Sequence, residues 1–158
     1  MIARVASFAD LITLLSETLT PHRADHERQT VEITTTAPPL IGPLVVRWEK
    51  KLPYAQIVQV IVESVPRSRL SQVEDAICRT NHTIALPGFG YSFDRDLIYM
   101  RLCVPIYEEG MTASAFTRQL ASVASNARQF AVPFRRVVEG EPGERILELA
   151  VAEATAAL

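Results

Sequence analysis

Between residues 30 and 65 three strand-like runs follow one another with links too short to hold a helix, and nothing else in the chain restricts its fold as much. The runs are "TVEITTT", "LVVRWEKK" and "YAQIVQVIVESV". In the first, Val31 and Ile33 alternate with Glu32 and Thr34, the period of a strand with one dry face. The third is nearly continuous in Ile57, Val58, Val60, Ile61 and Val62, the pattern of a central strand covered on both faces. A parallel crossover takes a dozen or more residues, and "APPLIGP" and Leu52-Pro53 are far shorter. The three strands are therefore expected to form an antiparallel meander.

Helical patterns surround this block. Ser7 caps a first helix over about residues 8 to 19, with Asp10 as its capping partner and Phe8, Leu11, Ile12, Leu15 and Leu19 at helical spacing. The polar segment "TPHRADHERQ" then reads as a connection. After the meander, Ser68 is a plausible cap for a helix that turns Leu70, Val73 and Ile77 to one side and stops near Asn81. "YSF" and "LIYMRLCVP" flank the polar "DRD" at residues 94–96 as a hairpin. Thr112 caps a long helix carrying Phe116, Leu120, Val123, Ala127 and Phe130, which Pro133 should end or kink. "EGEPGE" breaks the chain before an alanine-rich last helix with Ile146, Leu149, Ala150 and Val151 on one side.

Strands in runs, with helices segregated between them, point to an α+β fold in the order α-βββ-α-ββ-α-α. An antiparallel sheet of about five strands would be packed by the helices. With 158 residues one domain is the expectation, residues 1–135 forming the core and 143–158 adding a C-terminal helix. The net charge of -2, with both signs interspersed, provides no field for nucleic acid or an anionic membrane. No apolar run approaches the ~18 to 20 residues that span a bilayer. The start "MIARVASFADLITLLSETL" is broken by Asp10 and Glu17 and has no cleavage signature, so the expected location is cytoplasmic. Cys78 and Cys103 then read as reduced, small core fillers.

"IALPGFGYSFDRDLIYM" (84–100) is the stretch that first suggests a ligand. A dinucleotide fingerprint would need a glycine where Phe93 stands, and a phosphate loop would need a lysine followed by serine or threonine after the glycines. Gly88 and Gly90 instead suit a bent strand, at a sheet edge because Pro87 lacks a ladder donor. His22, Asp25, His26 and Glu27 are the densest set of possible metal ligands, but a third ligand at persuasive spacing is missing and a solvated loop is expected. His82 sits at a helix end, where an imidazole serves the last carbonyls. Neither cysteine is paired by any signature with a histidine, no nucleophile elbow occurs, and Asp94 and Asp96 are turn residues. No catalytic, metal or cofactor residue is assigned.

The aromatics Trp48, Tyr54, Phe89, Tyr91, Phe93, Tyr99 and Tyr107 nearly all fall on strands or strand ends. If helices cover one face of the sheet, part of the other is exposed and apolar, as at a protein-protein surface. If a second layer covers it, the same rings complete a two-sided core.

Residues 65–130, from "VPRSRLSQVEDAICRTN" through "GYSFDRDLIYMRLCVPIYEEGMTASAF" to "ASNARQF", resemble the YbjN family of bacterial sensory transduction regulators. The likeness covers roughly Leu44 to Phe134. It is carried by the helix ending in Asn81, the hairpin with its acidic turn, and the "EEGMTASAF" entry to a long helix. That family is similar in fold to type III secretion chaperones, small dimeric α+β proteins, which implies a homodimer that binds another polypeptide without chemistry. The helix beyond Glu144 and the modest acidity depart from that pattern. The expectation is a non-enzymatic, chaperone-like or regulatory adaptor needing no cofactor. Candidate partner or dimer contacts are Trp48, Tyr54, Phe89, Tyr91 and Phe93. The alternative is a small-ligand sensor or enzyme of unrecognised type with a pocket near Gly88–Phe93.

Overall fold

Alternation of buried and exposed residues sets the strands, and the computed structural model describes residues 2–34, 39–40, 42–49, 51–86 and 88–156. The chain is α+β. Its elements run β1 (Arg4–Val5), α1 (Phe8–Glu17), β2 (His22–Asp25), β3 (Thr30–Ile33), β4 (Leu44–Trp48), β5 (Tyr54–Val62), α2 (Leu70–Thr83), β6 (Phe89–Ser92), β7 (Leu97–Pro105), β8 (Met111–Thr112), α3 (Ala113–Glu139) and α4 (Ile146–Ala156). Six strands form one sheet in the order β2-β3-β4-β5-β7-β6, and β1 with β8 forms a two-stranded ladder. The meander β2 to β5 and the hairpin β6–β7 are antiparallel. Pro87, Ala37, Pro38, Ile41, Thr35 and Thr36, which the sequence assigned to an edge, a turn and a strand end, lie outside the described residues.

By its contacts the chain divides into two compact units, one of Met1–Thr36, Gly42–Gln59 and Arg101–Ala124, the other of Ala37–Ile41, Val60–Met100 and Ser125–Leu158. In the first unit Val31 stands opposite Val46, Ile33 opposite Leu44, and Val46 opposite Ile57, so these side chains share one face and all are buried. Fully burying each such side chain contributes roughly 1.5–3 kcal/mol. α1 supplies Phe8, Leu11, Leu14 and Leu15 to the same core. The opposite face, with Arg23, Asp25, Glu32, Val45, Arg47, Gln56 and Val58, is exposed or half-buried. β5 is central in the order of strands, yet Val58 and Val60 are only half-buried, so it is covered on one face and not on both.

The α1 cap forms as its spacing implies. Ser7 Oγ accepts from the Asp10 N–H at 3.2 Å, and Asp10 returns the contact by accepting from Ser7 Oγ at 2.8 Å and the Ala6 N–H at 3.0 Å. The helix ends two residues before the apolar spacing suggested. Leu19 has left-handed backbone (φ 51°) and is 88% exposed, because the Thr20 N–H reaches back to the Leu15 carbonyl and closes the helix there. Part of the expected loop "TPHRADHERQ" is strand β2, joined to β3 by a turn over residues 26–29.

In the second unit Phe89 is 4% exposed and packs on Phe130 and Phe134, with ring centroids 5.4 and 5.2 Å away. Gly143, in a 3-10 turn before α4, lies directly on α2: its N–H donates to Gln72 Oε1 at 2.8 Å, and a Cβ there would run into the Gln72 carbonyl oxygen. Ser68 does not cap α2. A 3-10 turn over Arg67–Arg69 follows Pro66 and leads straight into the helix, which continues past Asn81 to Thr83. α3 runs through Pro133 to Glu139. One lost backbone bond is outweighed by buried Phe130, Phe134 and Val137, and Arg69 donates to the Val137 and Glu141 carbonyls at 2.8 and 2.9 Å, closing the helix end.

Both cysteines are exposed, contrary to the core-filler reading. Cys103 projects from β7 on the side opposite buried Val104, and Cys78 lies off the stripe of Val73, Ala76 and Thr80 on α2.

Candidate protein-binding surface

Trp48 and Tyr54 both lie at the end of the β4–β5 hairpin, in the first unit, with Trp48 opposite Ala55 in the register. The Glu49 N–H donates to the Tyr54 carbonyl at 3.2 Å and the Tyr54 N–H to the Leu52 carbonyl at 2.8 Å, so the chain doubles back tightly. The segment after β7 is tied to this end by the Ile106 N–H, which donates to the Pro53 carbonyl at 2.7 Å. Gly110, at φ 70°, then lets the chain pass close to Val5 and Ala6, and the Arg4 guanidinium donates to the Glu109 and Gly110 carbonyls. Between them lies an open cleft of about 430 Å³ lined by Trp48, Leu52, Pro53, Tyr54, Tyr107 and Glu108. Leu52 is 53% and Tyr107 65% exposed, while Trp48 and Tyr54 are half-buried at its base. Glu49, at the same hairpin end, is held by Arg47 at 3.0 Å.

Phe89, Tyr91 and Phe93 belong to the second unit and divide by role. Phe89 is core. Tyr91 is half-buried and donates its phenol hydrogen to Asp96 Oδ1 at 2.6 Å, and Phe93 packs edge-on against it at 5.0 Å while remaining 62% exposed. That hydrogen bond, with partial burial adding to it, holds the Tyr91 phenol above its ordinary value. Arg67 stands 3.8 Å from the same carboxylate oxygen.

The glycine stretch is an edge strand rather than a ligand loop. Asn81 clamps its start as a neighbouring strand would: Oδ1 accepts from the Gly88 and Phe89 N–H groups, each at 3.0 Å, and Nδ2 donates to the Phe89 carbonyl at 2.8 Å. Gly90 lies beneath the ring of Tyr99, its cross-strand partner, and a Cβ would come within 2.7 Å of that ring. At Gly90 that space is thus taken by the Tyr99 ring.

His22, Asp25, His26 and Glu27 do not converge. His22 Nδ1 contacts the Thr20 carbonyl at 2.7 Å, His26 packs edge-on against Phe8, and Asp25 accepts from the Arg28 N–H at 2.9 Å. Among the described residues no three His, Cys, Asp or Glu side chains gather as metal ligands, and no helix is long and apolar enough to cross a membrane.

Leu52 and Pro53 were not foreseen as cleft residues, and Tyr107, although among the strand-end aromatics, was not among the candidate contacts. The signals available were a leucine set between Lys51 and Pro53 in a short link and a tyrosine just before "EEG". A second, apolar cleft of about 270 Å³ between α1 and the start of α3, lined by Leu14, Leu15, Ile33, Leu44 and Leu120, also went unforeseen.

Comparison with known proteins finds no curated sequence that matches. A solved structure titled "Crystal structure of YbjN, a putative transcription regulator from E. coli" superposes with a TM-score of 0.60 at 10% identity, covering 80% of this chain and 89% of that one. At that identity the likeness establishes the fold. Residues 14–136 match the YbjN family, described as "Putative bacterial sensory transduction regulator", and the match takes in every element from the end of α1 to the last turn of α3. The chain belongs to the YbjN family.

Proposed function

We propose that the protein is a non-enzymatic regulatory adaptor, a cytoplasmic homodimer whose task is to hold a segment of another polypeptide. The observation that carries this reading is the cleft at Trp48, Leu52, Tyr54 and Tyr107. Two large side chains there, Leu52 and Tyr107, are more than half exposed. Aromatic anchors around a shallow apolar floor are what interface hot spots use. Glu108 at the rim favours a segment with apolar side chains beside a lysine or arginine. The exposed thiols of Cys78 and Cys103 suit a reducing compartment. Membership of a family described as regulators supports the same class.

The test is retention of a partner by immobilised wild type against Tyr107→Ala and Leu52→Ser. Both side chains face water, so thermal stability should barely change. Loss of a hot-spot contact of ~2 kcal/mol corresponds to roughly 30-fold weaker binding. A partner held equally well by both variants would exclude the cleft.

A further inference from the structure

β2 is one free edge of the six-stranded sheet, and a single bond settles which of its backbone groups are unused. The Thr34 N–H donates to the Pro21 carbonyl at 3.0 Å, so these two residues are a hydrogen-bonded pair. Along the register that follows, His22 faces Ile33, Arg23 faces Glu32, Ala24 faces Val31 and Asp25 faces Thr30. Pairs alternate in an antiparallel ladder, so Arg23 and Asp25 turn their N–H and C=O groups toward β3, and His22 and Ala24 turn theirs outward. Pro21 shares the inward phase, so its missing N–H does not blunt the edge as an edge proline usually would.

The side chains say what can pair there. Arg23 and Asp25 are both exposed, and Arg23 makes no ion pair among the described residues. Asp25 accepts from the Arg28 N–H through Oδ1, while Arg28 Nε stands 3.8 Å from Oδ2, too loose to saturate it. Two copies of this strand can join about a twofold axis only where residues of the same phase meet. An axis at Arg23 sets arginine against arginine, one at Asp25 sets aspartate against aspartate, and one at His22 leaves the charges unmatched. An axis at Ala24 joins the outward groups of the two Ala24 residues and sets each Arg23 beside the other copy's Asp25, in the close, non-hydrogen-bonded position where side chains approach most.

We infer that two copies pair antiparallel through β2 about Ala24, extending the sheet from one copy into the next. This rests on the homodimer reading above and adds its interface. The strand is four residues long, so the contact is short and the dimer is weak, with dissociation in the micromolar range or above.

Sedimentation equilibrium between about 5 and 500 µM reads the outcome, a range set to bracket a weak dimer. Wild type should dimerise, while Arg23→Asp and Asp25→Arg should each bind themselves at least tenfold more weakly. Mixing the two single variants restores both opposite-charge pairs and should give heterodimers, and the double exchange should self-associate again. Ala24→Pro removes an outward N–H and should abolish the dimer with the fold kept, which circular dichroism verifies. If the charge variants dimerise like wild type, the β2 interface is overturned and the homodimer stands. If wild type itself is a monomer throughout, the homodimer and the β2 interface fall together.

Discussion

Leu19 occupies a position where glycine is the usual choice. Its left-handed backbone closes α1, and a side chain there costs roughly 1–2 kcal/mol against the chain's chirality. Because Leu19 is almost fully exposed, its removal forfeits no packing. Leu19→Gly should therefore stabilise the protein by on the order of 0.5–1 kcal/mol after the added chain entropy of glycine, read as a higher urea midpoint with an unchanged slope. The spacing of leucines in the sequence placed Leu19 on the helix face, and it could not have done otherwise: an apolar residue at the right period looks the same whether the next turn forms or not. Tyr91 offers a second measurement at this scale. Its phenol donates to Asp96, so the folded state favours the protonated form and holds its pKa above the ordinary value near 10. A raised folded-state pKa stabilises fully below the unfolded value and ceases to do so as pH rises through the folded one. Wild type should therefore exceed Tyr91→Phe in stability at pH 8, and the difference should vanish as the pH climbs beyond 10. A difference that stays constant across that range would remove the hydrogen bond from the account.

Elements show where periodicity informs and where it stops. α1, β3, β4, β5, α2, β7, α3 and α4 all carry enough alternating or helical apolar residues to be read from the chain alone. β2 does not, since its drier side holds only His22 and Ala24, and the two-residue strands β1 and β8 are too short for any pattern. The join of Gly143 to α2 was equally hidden: "EGEPGE" reads as a break, and only the packed structure shows that the break is where α2 and the turn before α4 touch backbone to backbone. Of the candidate surface, Trp48 and Tyr54 were legible as strand-end aromatics, but exposure is a tertiary property and separates Phe89 from Phe93 only once the helices are in place. Asn81 is the clearest case of a polar residue whose role lies outside its own helix. Asn81→Ala removes three hydrogen bonds to Gly88 and Phe89 and should cost about 1–3 kcal/mol, with the amides of Gly88 and Phe89 exchanging faster than those of β7. Asn81→Asp keeps the acceptor and loses the donor, so it should fall between.

For the molecule as a whole, charge bears on the kind of partner. Lysine and arginine number 16 against 18 acidic residues, and many of the arginines are already answered within the fold. Arg79 lies 2.9 Å from Asp75, Arg136 3.1 Å from Glu141, and Arg145 2.7 Å from Glu141 and 3.2 Å from Glu148. These cations are spent locally, so little potential reaches beyond the surface. Duplex DNA presents a phosphate every ~1.7 Å, and binding that displaces its counterions falls with salt at a log-log slope of about -0.9 for each phosphate neutralised. Arginines held by neighbouring carboxylates, as Arg79, Arg136 and Arg145 are, have less to offer a phosphate backbone. Fluorescence anisotropy with a labelled random duplex should accordingly give no binding tighter than about 10⁻⁴ M near physiological salt, the weak end of ordinary non-specific affinity. Lowering the salt should improve it only slightly, with a slope shallower than that of two or three phosphate contacts. Micromolar binding with a steep slope would require a basic face that the paired arginines do not provide, and would count against the proposed protein adaptor. A flat response is the outcome that the proposed protein contact requires, and Leu52 and Tyr107 are exposed side chains at its proposed cleft.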